Sequence, residues 1–460
     1  MGQEFKFSRM WILPWEQQSQ NEGPNPSGRF FQNKTMKLEN AKGVKDLPPE
    51  EKIIKNEVIE KIKRIFELYG FLPLETTILE RYETLAAKFG AGESSDALKE
   101  VFKLKDQGER NLALRFDLTV PMSRYIAMNP NIKMPFKRYE VGPVFRDGPI
   151  KLGRTREFWQ MDIDTSGCAS MLADAEILAM VDAVFKELDL DIVVKVNNRK
   201  LLNGILEQIG IKEKKEVIIS IDKLDKIGKE GISAEIKTKG YNQKQIDQIF
   251  QFIKQDMTIQ ELKKLISNRE GLEGIQELED LFSYLKEMGI TTVLFDISLA
   301  RGLAYYTSTV FEAFIKKGTI KSSLAGGGRY DDMVGNYIGE DKKIPATGIS
   351  FGLIPIIETI KEKRGKITKK SPSKVYIIPI NKINASLKII QELRNNNINS
   401  DMDIMQRSIS KNLDYANSLG IPYVIFVGED EVKQNKYKLR DMISGKEEEL
   451  TISQLIKRLE

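Results

Sequence analysis

Residues 136–165 read FKRYEVGPVFRDGPIKLGRTREFWQMDIDT, and two stretches of this segment alternate with period two. In Phe136–Arg146, the residues Arg138, Glu140 and Arg146 fall on one parity, with Tyr139, Val141 and Phe145 on the other. In Glu157–Thr165, Phe158, Gln160, Asp162 and Asp164 alternate with Trp159, Met161 and Ile163. Period two means strands with one apolar and one polar face. Leu112–Val120 reads the same way, with Arg115, Asp117 and Thr119 set against Leu114, Phe116, Leu118 and Val120. A single strand of this kind is ordinarily the wet side of an antiparallel sheet. Three neighbouring strands whose polar parity carries carboxylates, arginines and an amide predict a bed for a polar ligand.

Working outward, Pro49–Tyr69 reads as a helix with Ile54, Val58, Ile62, Ile65 and Phe66 on the 3.6-residue period, stopped by Gly70. Residues 169–190 read as a second helix on the sheet's apolar side. Residues 212–290 are rich in lysine and glutamate with helical period, which predicts an inserted module. Strand alternation returns at Thr291–Phe314, followed by Gly326–Gly328, Arg329–Asp331 and a last strand, Ala346–Phe351, that enters a helix through Gly352. Residues 361–374, KEKRGKITKKSPSK, read as a basic linker. Beyond it, strand Val375–Pro379, helix Ala385–Asn396 and strand Pro422–Val427 predict a separate α/β domain. The fold class is α+β: an antiparallel sheet flanked by helices, with a helical insertion and a C-terminal α/β domain. Residues 1–35 are polar and aperiodic and read as a disordered extension.

Composition narrows the chemistry. The chain has 460 residues, a formal net charge of +5, one cysteine (Cys168) and no histidine. This excludes an internal disulfide, a cysteine- or histidine-built zinc site, Ser-His-Asp systems and imidazole bases. No haem or covalent cofactor is expected. Any reaction must run on Arg, Lys, Asp, Glu, Tyr and Gln. No apolar run approaches the roughly 18 residues that cross a bilayer, so no membrane partner is expected and the expected location is cytoplasmic.

RYEVGPVFRDGPIKLGRTREFWQMDID (138–164) resembles motif 2 of class II aminoacyl-tRNA synthetases, and RGLAYYTSTVFE (301–312) resembles the histidyl-tRNA synthetase signature. AGGGRYDDMVG (325–335), KGVKDLPPEE (42–51), IDKLDKIGKEG (221–231) and GIPYVIFVGEDEVKQNKYKLRDM (420–442) look like the same family, in the same order. The resemblance implies a catalytic domain at 36–211 and 291–360, an insertion at 212–290 and an anticodon-binding domain at 375–460. It implies attachment of histidine to tRNA(His) through a histidyl-adenylate, by a homodimer, with ATP as substrate and Mg2+ on the triphosphate. Arg146 and Arg301 are the implied catalytic arginines, at the substrate carboxylate and the α-phosphate. Arg154 and Lys151 would hold the outer phosphates and Phe158 would stack on adenine. Asp117, Thr119 and Gln160 match positions that bind the α-ammonium. Asp164 matches the position facing one imidazole nitrogen, with Tyr305 and Tyr306 closing the other side. The chemistry suits these residue types. Two anions must meet in amino-acid activation, and fixed guanidinium groups favour that approach.

Four departures from the family pattern stand out. Gly148 replaces the glutamate that usually follows the motif 2 arginine by two positions, Ala304 replaces an aspartate, and Thr76-Thr77 replaces a Thr-Pro. Ile354-Pro355 replaces the Glu-Arg of motif 3, so one phosphate-binding arginine is missing. Arg329 and Lys151 are the expected compensating cations at ATP. Two alternatives compete: a non-enzymatic histidine sensor of the ATP phosphoribosyltransferase regulatory-subunit type, and an enzyme that activates histidine for a non-tRNA acceptor. The C-terminal domain weighs against both. Ordinary usage of about 2% would place roughly ten histidines in a chain this long. Their absence fits a ligase that must itself be translated when histidine is scarce.

Overall fold

The computed structural model describes residues 38–87, 99–150, 155–254, 257–300, 305–339, 342–365 and 369–460. The expected extension 1–35, Lys151, Arg154, Arg301 and Ala304 lie outside the described residues.

The first strands are β1 (Leu72–Pro73), β2 (Leu79–Arg81), β3 (Lys103–Lys105) and β4 (Asn111–Leu114). They are followed by β5 (Phe136–Phe145), β6 (Glu157–Ser166), β7 (Ile192–Asn198), β8 (Val293–Phe295), β9 (Thr309–Ile315), β10 (Ala325–Arg329) and β11 (Ala346–Gly352). Among the described residues, β5, β6, β11, β10, β9 and β7 are antiparallel neighbours in that order. β1 and β8 add parallel pairs at the two edges, so the sheet is mixed rather than wholly antiparallel.

The period-two reading of 136–165 sets the sheet's two faces. Tyr139, Met161, Ile163 and Phe351 belong to the core that holds Ile62 and Phe66 of helix Pro49–Leu68 and Ile177 and Phe185 of helix Met171–Glu187. Rings of Phe66 and Phe351 lie 5.5 Å apart. Burying side chains of this size contributes roughly 1.5–3 kcal/mol each, which fixes the polar parity on the opposite face.

Leu112–Val120 departs from its expected strand. The ladder stops at Leu114, and Thr119 already opens a helix, Thr119–Met128. The cause is Asp117, whose Oδ1 accepts the Val120 N–H at 2.9 Å and turns the chain at the helix start. Between β7 and β8 lie helices Lys214–Ile221, Leu224–Thr238, Gln243–Phe252, Ile259–Leu265 and Arg269–Glu287. Glu277 ties the last of these to the sheet, accepting from Asn198 Nδ2, Lys200 Nζ and Ser308 Oγ at 2.7, 2.6 and 2.5 Å.

The basic run 361–374 begins inside a helix. Lys361–Arg364 form the last turn of Leu353–Arg364, where cations favour the helix dipole. Lys361 lies 3.4 Å from Glu51 and Arg364 lies 2.6 Å from Glu57. Beyond residue 369, β12 (Val375–Pro379), β13 (Ser400–Met402), β14 (Tyr423–Val427), β15 (Tyr437–Asp441) and β16 (Glu447–Leu450) form a second sheet with its own cores.

Candidate active site

The polar face of β5 and β6 is a buried charge network. Arg138 and Asp164 face each other in register, as do Glu140 and Asp162. Arg138 Nη2 lies 2.8 Å from Asp164 Oδ2 and donates to Leu118 O at 3.0 Å. Arg115 Nη1 donates to Glu140 Oε1 at 2.7 Å and to Thr76 O at 2.9 Å. Glu140 also accepts from the Thr76 N–H and hydroxyl at 3.0 and 2.8 Å. Thr76, which precedes the departing position Thr77, therefore closes this network.

Over that network lies a cavity of about 120 Å³ lined by Asp117, Thr119, Arg146, Gln160, Asp162, Asp164, Tyr305, Tyr306, Gly326, Tyr330, Gly348, Ile349 and Ser350. Larger surface hollows elsewhere hold none of the expected site residues. All six residues expected to bind histidine line it, together with Arg146, although they come from segments far apart in the chain. The space exists because the central strands carry glycine on the polar parity. A Cβ at Gly348 would fall 2.0 Å from Asp164 Oδ1, so no side chain fits there.

Asp164 accepts from the Tyr330 hydroxyl as well as meeting Arg138. Burial pushes its pKa up, opposed mainly by the Arg138 charge and the Tyr330 hydrogen bond. Asp162 is raised to about 8 by burial, with Arg138 opposing it. Burial also pushes up the phenols of Tyr305, Tyr306 and Tyr330, which stay neutral at physiological pH. Tyr305 and Tyr306 rings are 4.6 Å apart, and Tyr330 meets Tyr305 edge-on at 5.9 Å. At the rim, Arg146 Nε donates to Phe116 O at 3.1 Å and its guanidinium lies 5.0 Å from the Phe158 ring centre. Arg146 and the expected adenine platform are thus adjacent.

Arg329 is a correction. It was expected at the ATP phosphates, but it lies on the opposite face of the sheet, in register with Thr347. It is 2% exposed, pairs with Asp174 of helix Met171–Glu187, and donates to Cys168 O and Ser170 O at 2.8 and 3.1 Å. An arginine held this way cannot reach a ligand in the cavity. Its parity was hidden in the sequence because Gly326–Gly328 give no side-chain pattern.

Two other departures are accommodated. Pro355 sits in the first turn of helix Leu353–Arg364, where a missing N–H costs little. At Gly148, a Cβ would fall 2.7 Å from the Glu100 carboxylate, so Glu100 fills the space that a side chain there would need. Sequence reasoning missed Asp162, Tyr330 and Ser350 as lining residues. Asp162 shares the parity of Gln160 and Asp164, and that signal was available. It also missed Asn197, whose Nδ2 donates to Ile297 O and Leu299 O, both at 2.9 Å, fixing the segment that leads to Arg301.

A family model described as histidyl-tRNA synthetase matches residues 43–356, and one described as an anticodon binding domain matches residues 374–460. The chain belongs to the histidyl-tRNA synthetase family. It is 42% identical over 426 residues to histidine–tRNA ligase 1 of Bacillus cereus, covering 91% of this chain and 97% of that protein. The crystal structure of histidyl-tRNA synthetase from Nostoc sp. PCC 7120 superposes with a TM-score of 0.82 at 31% identity, covering 92% of this chain and 99% of that one. An ATP phosphoribosyltransferase regulatory subunit/histidyl-tRNA synthetase from Bacillus halodurans shares the fold, with a TM-score of 0.69 at 21% identity over 82% of this chain and 96% of that one.

Proposed function

We propose that this synthetase-family chain is a histidine–tRNA ligase that makes histidyl-adenylate from histidine and ATP and transfers the histidyl group to tRNA(His). The observation that carries this reading is the convergence of Asp117, Thr119, Arg146, Gln160, Asp164, Tyr305 and Tyr306 on one cavity. Asp117, Thr119 and Gln160 take the α-ammonium. Asp164 takes one imidazole nitrogen, since each of its oxygens keeps a lone pair beyond those given to Arg138 and Tyr330. The two tyrosines close the other side of the ring. An apolar side chain would leave these groups unpaired, which rejects it strongly.

Arg146 brings the histidine carboxylate and the α-phosphate together, offsetting the repulsion between two anions and the charge that builds on phosphorus-bound oxygens. Arg301, four residues before Tyr305, adds the second guanidinium there. Phe158 stacks on adenine, and Arg154 and Lys151 hold the outer phosphates. Mg2+ reaches the site on the triphosphate itself; among the described residues, no three carboxylates or thiols converge as a cation site.

The apolar surface around Thr77 and Arg124 supports a homodimer. Leu68, Leu72, Ile78, Leu79 and Met128 are between 41% and 72% exposed there, and a second copy would cover them. The domain at 374–460 supports tRNA over another acceptor and weighs against the sensor reading. Among the described residues no helix is long and apolar enough to cross a membrane, which supports work in the cytoplasm.

The test is ATP–pyrophosphate exchange with each of the twenty amino acids, followed by charging of tRNA(His). Exchange stimulated by histidine alone, then charging, is the expected result. No histidine-dependent exchange would refute the enzymatic reading, and exchange without charging would favour a different acceptor.

A further inference from the structure

Asp162 is a buried carboxylate that the scheme above leaves without a task. It lines the cavity, is 3% exposed, and its Oδ1 accepts no hydrogen bond. It lies on β6 between Gln160 and Asp164, on the same parity, so the three side chains stand roughly 7 Å apart along one face. Its neighbours cannot neutralise it fully. Arg115 is engaged by Glu140 and Thr76, and Arg138 is shared between Asp164, at 2.8 Å, and Glu140, at 3.8 Å. Asp117 adds a further carboxylate to the lining, and Arg146 at the rim is turned toward Phe116 O and Phe158. Tyr305, Tyr306 and Tyr330 bring no charge. The cavity is therefore lined by more acidic than basic side chains, and a cationic ligand would favour the ionised form of Asp162.

Ser350 connects Asp162 to Gln160. It stands opposite Asp162 in register, and its hydroxyl accepts from Gln160 Nε2 at 2.7 Å. The same hydroxyl lies against the Asp162 carboxylate and favours its ionised form. With the amide nitrogen tied to Ser350, Gln160 Oε1 is left as an acceptor without a partner. Gln160 Oε1 and Asp162 Oδ1 are thus two neighbouring unfilled acceptors for two of the three donors of an –NH3+ group, the third being shared by Asp117 and Thr119.

We propose that Asp162 is a further histidine-binding residue that receives the substrate's α-ammonium, and that Ser350 is a positioning residue that aims the Gln160 carbonyl at the same group. The proposal rests on the histidine reading of this cavity. Asp164, already held by Tyr330 and Arg138, remains the imidazole partner.

The test separates the two ends of histidine, using the full-length protein. Histamine keeps the ammonium and imidazole but lacks the carboxylate; imidazolepropionate keeps the imidazole and carboxylate but lacks the ammonium. Each is measured as a competitor of histidine in ATP–pyrophosphate exchange. Removing a charge-assisted hydrogen bond in Asp162→Asn should weaken histamine about ten- to a hundredfold and change imidazolepropionate less than about threefold. Ser350→Ala should weaken histamine by a smaller factor, about three- to tenfold, and again spare imidazolepropionate. It carries the test alone if Asp162→Asn does not fold. Equal weakening of both competitors, or of neither, would overturn the proposal. Failure of the wild-type protein to respond to histidine at all would instead count against the histidine reading itself.

Discussion

Asp164→Asn offers the sharpest check on the imidazole contact. The carboxylate serves three partners in the proposed complex: the Tyr330 hydroxyl, Arg138 Nη2 at 2.8 Å, and the imidazole N–H. Asparagine has a single acceptor oxygen and presents two donors of its own. It can satisfy Tyr330 or Arg138 but not both, and it no longer offers a charged acceptor to the ring. Loss of the charge-assisted bond to substrate should cost about 1.5–3 kcal/mol, which is roughly one to two orders of magnitude in the histidine requirement. The ATP requirement should change less than about twofold, because Arg146 bonds to Phe116 O and stacks near Phe158 rather than touching Asp164. Leaving one buried donor without a partner should also lower stability by roughly 1–3 kcal/mol. Exchange measured against histidine and ATP in turn, with urea unfolding beside it, reads all three effects. A folded variant with unchanged histidine dependence would refute the contact, and equal increases in both requirements would show general damage instead.

Arg329→Lys should leave the ATP requirement within about twofold of wild type while lowering the urea midpoint, since one partner of a buried pair with Asp174 is degraded; an ATP requirement raised tenfold would restore Arg329 to the phosphate site. Burial raises Asp162 from an ordinary value of 3.8 to about 8, so the folded protein retains a proton that the unfolded chain has released. Its contribution to the stability of the ligand-free protein is complete below about pH 4, falls as pH rises, and is gone above about 8. Asp162→Asn should flatten that fall in urea unfolding, and a profile parallel to wild type across the window would contradict it. The absence of histidine from the chain predicts that its synthesis persists in histidine-starved cells; a fall in step with histidine-containing proteins of similar length and message level would remove the advantage.

The strands that build the cavity were legible because period two is a local property. Once Tyr139, Met161 and Ile163 are assigned to the helices' side, Arg138, Gln160, Asp162 and Asp164 must share the other. What the local pattern cannot state is which partner each polar residue meets across strands. The buried ion pairs, Arg138 with Asp164 and Arg115 with Glu140, depend on register and on the backbone at Thr76, both set by distant segments. Leu112–Val120 shows the same limit from another side. Its alternation is real, but Asp117 bonds to the Val120 N–H and turns the chain, and a side chain competing with the ladder leaves the period untouched.

The Arg329 error follows from the same distinction and says something about the site. A strand of three glycines carries no parity, so only its pairing with β11 assigns Gly326 and Gly328 to the cavity floor and Arg329 to the helices' side. The glycines keep the floor open for the ligand, and they also erase the signal that would have placed the arginine. Under the proposed function, compensation for the missing motif 3 arginine would come from cations other than Arg329. Arg146 is one, and Arg301, Arg154 and Lys151 follow the same motifs along the chain. Three buried acidic side chains, Asp117, Asp162 and Asp164, line the cavity proposed for histidine together with the guanidinium of Arg146. In the proposed complex that arrangement, acidic side chains for the ammonium and imidazole and Arg146 for the carboxylate, would orient histidine with its carboxylate toward ATP before any bond is made.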